Sequence, residues 1–315
     1  MLDFGAPKHL VWLLKSLYDN SYGMIRVDQQ HTDKFRFERG VRQGCPLSPL
    51  LFLTCGEDIM RSVEAELPDR TGAIVGGRAL WNLRYADDTA LLARSRTQLE
   101  QEAQLLKKHS ERFELQINSS KTVAMAISEQ DDRQSPVIEG ATIKSVQKFK
   151  YLGSLVTAEG KCELDIRARL AMARNATLQL VEVWRSKEIS LHLKKRLMKS
   201  LIWSIASYGS ESWTLKKADE RRICAFELWA WRRLLRISWR QRKTNEWVRE
   251  IVRVPESEGL LQTIKRRKQQ KYGHWKRRPD SVVMMTTEGE VEGRARRGRR
   301  RKAWIDDLRE TPTAR

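Results

Sequence analysis

Apolar positions switch period along this chain. Trp81, Leu83 and Tyr85 alternate with polar neighbours as in a half-buried strand. Thr89 to Ala93 reads as a second short apolar strand, so residues 80–93 predict a hairpin whose turn is the pair Asp87 and Asp88. Upstream, Phe52, Cys55, Ile59 and Val63 recur at helical spacing. Ser48 is suited to cap that helix and Pro49 to its first turn, where a missing N–H costs nothing. Downstream, Thr97-Gln98-Leu99-Glu100 has the form of a capping box, and Leu99, Ala103, Leu106, Ser110 and Phe113 continue it as a helix. His109 reads as a surface residue of that helix. Val123 to Ile127 predicts a strand, residues 129–136 a polar loop, and Val137 to Ile143 a small hairpin.

Beyond Ala158 only the helical period remains. Ile166, Leu170, Ala173, Thr177, Leu180 and Trp184 form one stripe, and Leu197, Leu201, Ile205 and Tyr208 a second. A third helix, expected from Asp219 to Arg240, carries Ile223, Phe226, Ala230, Leu234 and Ile237 on one side. On that helix Arg222, Arg233, Arg236 and Arg240 would project within about 60° of one another at ~100° per residue. Four cations of one sign on one face repel each other unless an anion is near, although a solvated charged face is the commoner meaning of such a stripe.

Charge sharpens this division. Lys and Arg number 60 against 40 Asp and Glu, but residues 1–150 hold 21 against 20, and residues 151–315 hold 39 against 20. Nine of the eleven tryptophans also lie in the second half. Basic surface with interleaved aromatics suits a groove that tracks a nucleic-acid backbone, while the tryptophans taken individually read as helix core. Residues 289–302 are Arg- and Gly-rich, with Arg294, Arg296, Arg297, Arg299, Arg300, Arg301 and Lys302, and predict a segment without order until a partner binds. It could hold RNA or serve as a nuclear localisation signal. Trp304 to Leu308 predicts a last short helix. Mean hydropathy is -0.59 and no apolar run approaches the ~20 residues a membrane span needs, so no membrane partner is expected. Cys45, Cys55, Cys162 and Cys224 show no zinc spacing, and reduced thiols in an intracellular protein are the simplest account.

Two segments carry chemistry. Asp87 and Asp88 are neighbouring anions at a tight turn, which favours a cation between or beside them. Mg²⁺ takes one or two carboxylates plus substrate phosphates, and Asp87 is the better placed of the two. An Asp-Asp turn is also an ordinary water-exposed feature, so the pair needs its neighbours. The segment Gly40-Val41-Arg42-Gln43-Gly44-Cys45-Pro46-Leu47-Ser48-Pro49-Leu50-Leu51-Phe52 joins two glycines and two prolines to a helix start. Its glycines let a phosphate or sugar approach the main chain, and Arg42 and Gln43 offer donors.

GVRQGCPLSPLLF followed by Tyr85-Ala86-Asp87-Asp88 resembles the template-and-nucleotide loop and the catalytic hairpin of reverse transcriptases from LINE-type, non-LTR retrotransposons. Leu115-Gln116-Ile117-Asn118-Ser119-Ser120-Lys121-Thr122 resembles that family's loop whose lysine lies near the leaving pyrophosphate, and Phe149-Lys150-Tyr151-Leu152-Gly153 its primer grip. The four motifs occur in the family's order, between about Leu10 and Thr157. Trp213-Thr214-Leu215 and Trp304-Ile305-Asp306-Asp307 are looser likenesses. The resemblance implies an α+β fold: a partial polymerase palm over 1–157, a helical thumb-like region over 158–255 and a basic tail over 256–315.

It also implies an RNA template, a DNA primer, deoxynucleotides and two Mg²⁺ ions. Asp87 and Asp88 would be the metal ligands, and Lys121 the acid toward pyrophosphate. Arg42, Gln43, Gly44, Pro46, Tyr85 and Ala86 would shape the template and nucleotide site, and Tyr151, Leu152 and Gly153 would seat the primer. Arg222, Arg233, Arg236, Arg240, Arg296, Arg297, Arg299 and Arg300 would hold nucleic acid. In palm polymerases a further aspartate on an upstream strand completes the two-metal site. Asp3, Asp19, Asp28 and Asp33 precede Gly40, and none stands in the expected Ala-Phe-Asp strand. The chain therefore reads as a polymerase region cut before its first catalytic strand, and the alternative, a non-catalytic nucleic-acid-binding remnant, is the reading expected of the chain alone.

Overall fold

A computed structural model describes residues 1–19, 21–127, 134–138, 140–289 and 300–310. Packing divides the chain into two units, residues 1–72 with 81–118, and residues 73–80 with 119–315. The hairpin that ends at Thr157 is bonded to the helices that follow it.

In the first unit the helices are Lys8–Asp19, Ser48–Glu66 and Arg96–Glu111. Two short antiparallel ladders, Tyr22–Gly23 with Phe35–Arg36 and Arg26–Val27 with Gln30–His31, lie between the first two. The predicted hairpin is present as Asn82–Tyr85 paired with Asp88–Leu91. Its core is small: Ile59, Met60, Val63 and Trp81 are buried, and Leu67, Leu91, Leu105 and Leu106 pack on them. The Lys8–Asp19 helix buries no residue, and Trp12 is 66% exposed.

Several local expectations change here. Ser48 does not cap its helix. Leu47 stands at the cap without a side-chain bond, and the Ser48 hydroxyl donates instead to the Arg42 carbonyl at 2.6 Å. The following helix is capped two residues earlier than Thr97. Ser95 accepts from the Gln98 amide, and the Gln98 side chain accepts from the Arg94 amide at 3.0 Å. His109 is buried rather than a surface residue, its Nε2 2.9 Å from Glu66 Oε1. Of the alternating Trp81, Leu83 and Tyr85 only Trp81 is buried, packed with Ile59, Met60 and Val63 of the Ser48–Glu66 helix.

In the second unit the strands are again paired two by two among the described residues. Val137–Ile138 pairs with Ala141–Thr142 as predicted. The strand expected over Val123 to Ile127 is only Val123–Ala124, running parallel to Lys144–Ser145. Lys148–Tyr151 and Ser154–Thr157 form the fullest hairpin. Helices then dominate: Glu163–Gln179, Leu191–Leu197, Lys217–Leu234, Asn245–Val252, Leu260–Lys276 and the short Asp306–Arg309.

The first apolar stripe is realised, with Ile166, Leu170, Ala173, Thr177 and Trp184 all buried. The second is shifted. Leu201 and Tyr208 are exposed, whereas Met198, Ile202, Trp203 and Ala206 are buried. A π-helical turn at Met198–Ile202 explains the shift, since its wider i→i+5 bonding slips the phase that a 3.6-residue period assumes. The third helix stops at Leu234, before Ile237 and Arg240. Trp203, Trp213 and Trp231 belong to the core, as does Trp184. Each fully buried large side chain contributes about 1.5–3 kcal/mol, which makes this unit's interior far richer than the first unit's. The four cysteines are free thiols. No described helix is long and apolar enough to cross a membrane.

Candidate functional site

The aspartate hairpin is a tight one. Tyr85 pairs with Asp88, so the two turn residues are Ala86 and Asp87, not the two aspartates. Asp88 is the first residue of the returning strand. Ala86 has φ +53°, a left-handed position at which a methyl side chain is strained. Tyr85, Asp87 and Asp88 are exposed. The ribbon is fixed below this tip: Trp81 enters the core, and the Arg84 guanidinium donates to Glu57 at 2.7 Å. That bond, first among its causes, holds the Glu57 carboxyl below its usual range.

Glu57 sits midway along the Ser48–Glu66 helix, and the Gly-rich loop enters the start of the same helix. One helix thus carries both the loop and the hairpin support. Arg42 does not extend from the loop. It donates to the Leu17 carbonyl at 2.8 Å and to the Ser21 hydroxyl, and lies 5.5 Å from the Tyr18 ring centre. Its role is to clamp the loop to the end of the Lys8–Asp19 helix. Gln43, Gly44 and Pro46 are left exposed. Gly44 has φ +81° and nothing within 4 Å of where a Cβ would stand, leaving its backbone open to a ligand. Beside it the Leu47 amide lowers the Cys45 thiol's pKa.

In the second unit, Tyr151 and Ser154 close the Lys148–Tyr151 hairpin, with Leu152 at φ +46° and Gly153 at φ +84° as its turn. Positive φ at both positions is the turn that matches strand twist. This turn is held from the helical side. Tyr208 donates to the Leu152 carbonyl at 3.1 Å, and Arg169 donates to the Gly153 carbonyl while lying 4.3 Å from the Tyr208 ring centre. Buried Asp165 accepts from the Leu155 amide at 2.9 Å and from the Trp213 indole at 2.7 Å. Sequence reading singled out Trp213 and read Tyr208 as an apolar stripe residue, but missed Asp165 and Arg169. An aspartate and an arginine on the buried side of the first helical stripe were the available signal. Lys121 lies near the start of this unit, in the turn before Val123–Ala124.

The basic stripe is not a helical face. Arg222 is paired with Asp219 at 2.7 Å and Glu163 at 3.3 Å. Arg233 lies beside the Trp229 ring, whereas Arg236 and Arg240 fall beyond the helix end, Arg236 at φ +60°. The geometry expected of the four together fails because the helix terminates first. Arg296, Arg297 and Arg299 lie outside the described residues. Arg300 pairs with Asp306 and Lys302 with Asp307.

Among the described residues no cluster of three or more His, Cys, Asp or Glu could hold a metal ion. Asp87 and Asp88 do fit the one or two carboxylates that Mg²⁺ takes when substrate phosphates supply the rest.

One helix carries both a loop open at its backbone and a paired-aspartate hairpin, and the reverse transcriptase (RNA-dependent DNA polymerase) family matches residues 1–156. A transposon-derived protein of Caenorhabditis elegans is 30% identical over 252 residues, covering 76% of this chain and 88% of that protein. The Pol polyprotein of the type-2 retrotransposable element R2DM of Drosophila melanogaster is 29% identical over 193 residues, 56% of this chain. That of the type-1 element R2 of Nasonia vitripennis is 26% identical over 212 residues, 64% of this chain. The chain spans 18% and 20% of these two polyproteins. It belongs to the reverse transcriptases of non-LTR retrotransposons.

Proposed function

We propose that this chain supplies part of an RNA-directed DNA polymerase site, with residues 1–157 as palm and the helices beyond as thumb. The observation that carries the reading is the Asp87-Asp88 hairpin mounted, through Trp81 and Arg84, on the helix that the Gly44 loop opens. Asp87, at the turn, is the foremost metal ligand and Asp88 its support. Bound there, Mg²⁺ would supply charge neutralisation for phosphoryl transfer from a deoxynucleotide. The exposed backbone at Gly44, with Gln43 and Pro46, receives the nucleotide and template, and Arg42 keeps that loop in place. Tyr85 and Ala86 complete the tip. Lys121 would give a proton to departing pyrophosphate, and the turn Tyr151 to Gly153 would seat the primer end.

The family match over residues 1–156 favours this reading over a remnant that only holds RNA. Magnesium-dependent primer extension on an RNA template is the test, with RNA affinity measured in parallel. Asp87→Asn is expected to abolish nucleotide addition and leave RNA affinity within about twofold, since one turn carboxylate contributes no phosphate contact. RNA binding without any extension by the unaltered chain would return the non-catalytic reading.

A further inference from the structure

We infer that the connection between the Lys217–Leu234 and Asn245–Val252 helices is a platform for an unpaired nucleic-acid strand, with Trp239 stacking a base and Arg240, Arg242 and Lys243 meeting its phosphates. The inference rests on the proposed polymerase function for the presence of such a strand, and on the following geometry for its place.

Trp239 is 82% exposed, an unusual position for the largest apolar ring. Between Glu227 and Glu246 the sequence holds six cations and no carboxylate. Arg233, Arg236, Arg240, Arg242 and Lys243 are exposed, and the ion pairs among the described residues include none of them. Crowding like charges on one short connection raises its energy until a polyanion arrives.

The connection is built rather than loose. Arg232 donates to the Lys243 carbonyl at 3.2 Å and to Asn245 Oδ1 at 2.8 Å, which draws the far end back onto the helix. Ser238 and Gln241 close a single turn over Trp239–Gln241, and Thr244 caps the next helix. Arg236 and Arg242 flank that turn in left-handed conformations, at φ +60° and +45°. Glycine would adopt both without strain, so the turn carries two cations where its backbone disfavours them.

Rings and cations alternate across the same region. Arg240 lies 5.8 Å from the Trp239 ring centre and Lys243 4.7 Å from that of Trp247. Arg174 and Arg233 lie 4.6 and 5.6 Å from Trp229. A strand with splayed bases offers both a planar face for Trp239 and a row of phosphates. A duplex keeps its bases stacked inside, and an acidic peptide has no plane to offer.

The test uses the full chain and a fluorescein-labelled single-stranded RNA oligonucleotide, compared with the same sequence as a duplex, by fluorescence anisotropy. Trp239→Ala is expected to weaken single-strand binding roughly tenfold and duplex binding less than about twofold, with Trp239→Phe recovering most of the loss. Replacing Arg240, Arg242 and Lys243 together with Gln should reduce the log-log salt slope by about two. Unchanged or equal losses on the two probes in Trp239→Ala, or competition by polyglutamate as effective as by RNA, would overturn the platform. Primer extension that survives such a failure leaves the polymerase function standing, and the expected binding without extension counts against that function alone.

Discussion

Lys268 and Asp307 form an ion pair closed to solvent on both sides, although 39 residues separate them in sequence. Lys268 also donates to the Trp213 carbonyl at 2.6 Å, and Asp307 receives the Leu215 amide and, from Lys302, a second ammonium, each at 2.8 Å. Burial, foremost, pulls the Lys268 ammonium below its ordinary pKa, against the pull of Asp307. Asp307→Ala leaves the buried Lys268 ammonium without its carboxylate and the Leu215 amide without its acceptor, while Lys302 keeps Glu310, and is expected to cost about 3–5 kcal/mol in urea denaturation. Lys268→Met leaves Lys302 on Asp307 and should cost less. Equal costs would show that Lys302 does not support the aspartate.

Gly153 sits where an added Cβ would stand 2.9 Å from Tyr208 Cε1, in a backbone with φ +84°. Gly153→Ala therefore meets a steric and a conformational penalty together, and about 2 kcal/mol of stability should be lost. Tyr208→Ala removes the clash but not the backbone strain. In that background the glycine substitution should lower the Tm less, and strict additivity would mean that the ring is not what it strikes.

Glu102 is fully buried and neither oxygen has a hydrogen-bond partner among the described residues. Burial pushes its carboxyl up from 4.5 to about 7. The folded chain thus keeps a proton that the unfolded chain releases. The associated stability is full below pH 4.5, falls as pH rises toward 7 and is lost above it. Its size is about 3 kcal/mol. Glu102→Gln should flatten that pH slope and raise the Tm under alkaline conditions; an unaltered slope would place the proton elsewhere.

Trp81 and Arg84 support the aspartate hairpin by different means. Trp81→Ala empties the centre of a four-residue core and should destabilise the first unit by about 3–5 kcal/mol. Arg84→Ala removes a half-exposed pair with Glu57 and should cost less than about 1 kcal/mol. Hydrogen exchange along residues 82–91 would separate the two, with protection lost broadly in the first variant and near the tip in the second.

Features set by local chemistry were legible in the sequence. Alternation and turn composition placed the 80–93 hairpin, and an unbroken 3.6-residue period placed the stripe from Ile166 to Trp184. Where one residue changes the phase, that reading failed. The π turn at Met198–Ile202 exchanged Leu201 for Ile202 as a core residue, and the early stop at Leu234 scattered the four arginines. The Ala86-Asp87 turn was displaced by one position because pairing of Tyr85 with Asp88 is a cross-strand fact. Arg42 looked like a ligand donor since nothing local reveals that Leu17 and Ser21 occupy its guanidinium. Asp165 and Arg169 went unnoticed, and Tyr208 read as an apolar stripe residue, because their partners include carbonyls and amides of a distant turn.

That turn has a mechanical meaning. Tyr208, Arg169 and Asp165 tether residues 152–155 to the helical unit, and Trp213 in turn holds Asp165. Within this unit the hairpin tip is bonded directly to the Glu163–Gln179 helix, so a displacement of that helix is passed to the tip. Whatever rests on Leu152 and Gly153 would be carried along with that helix.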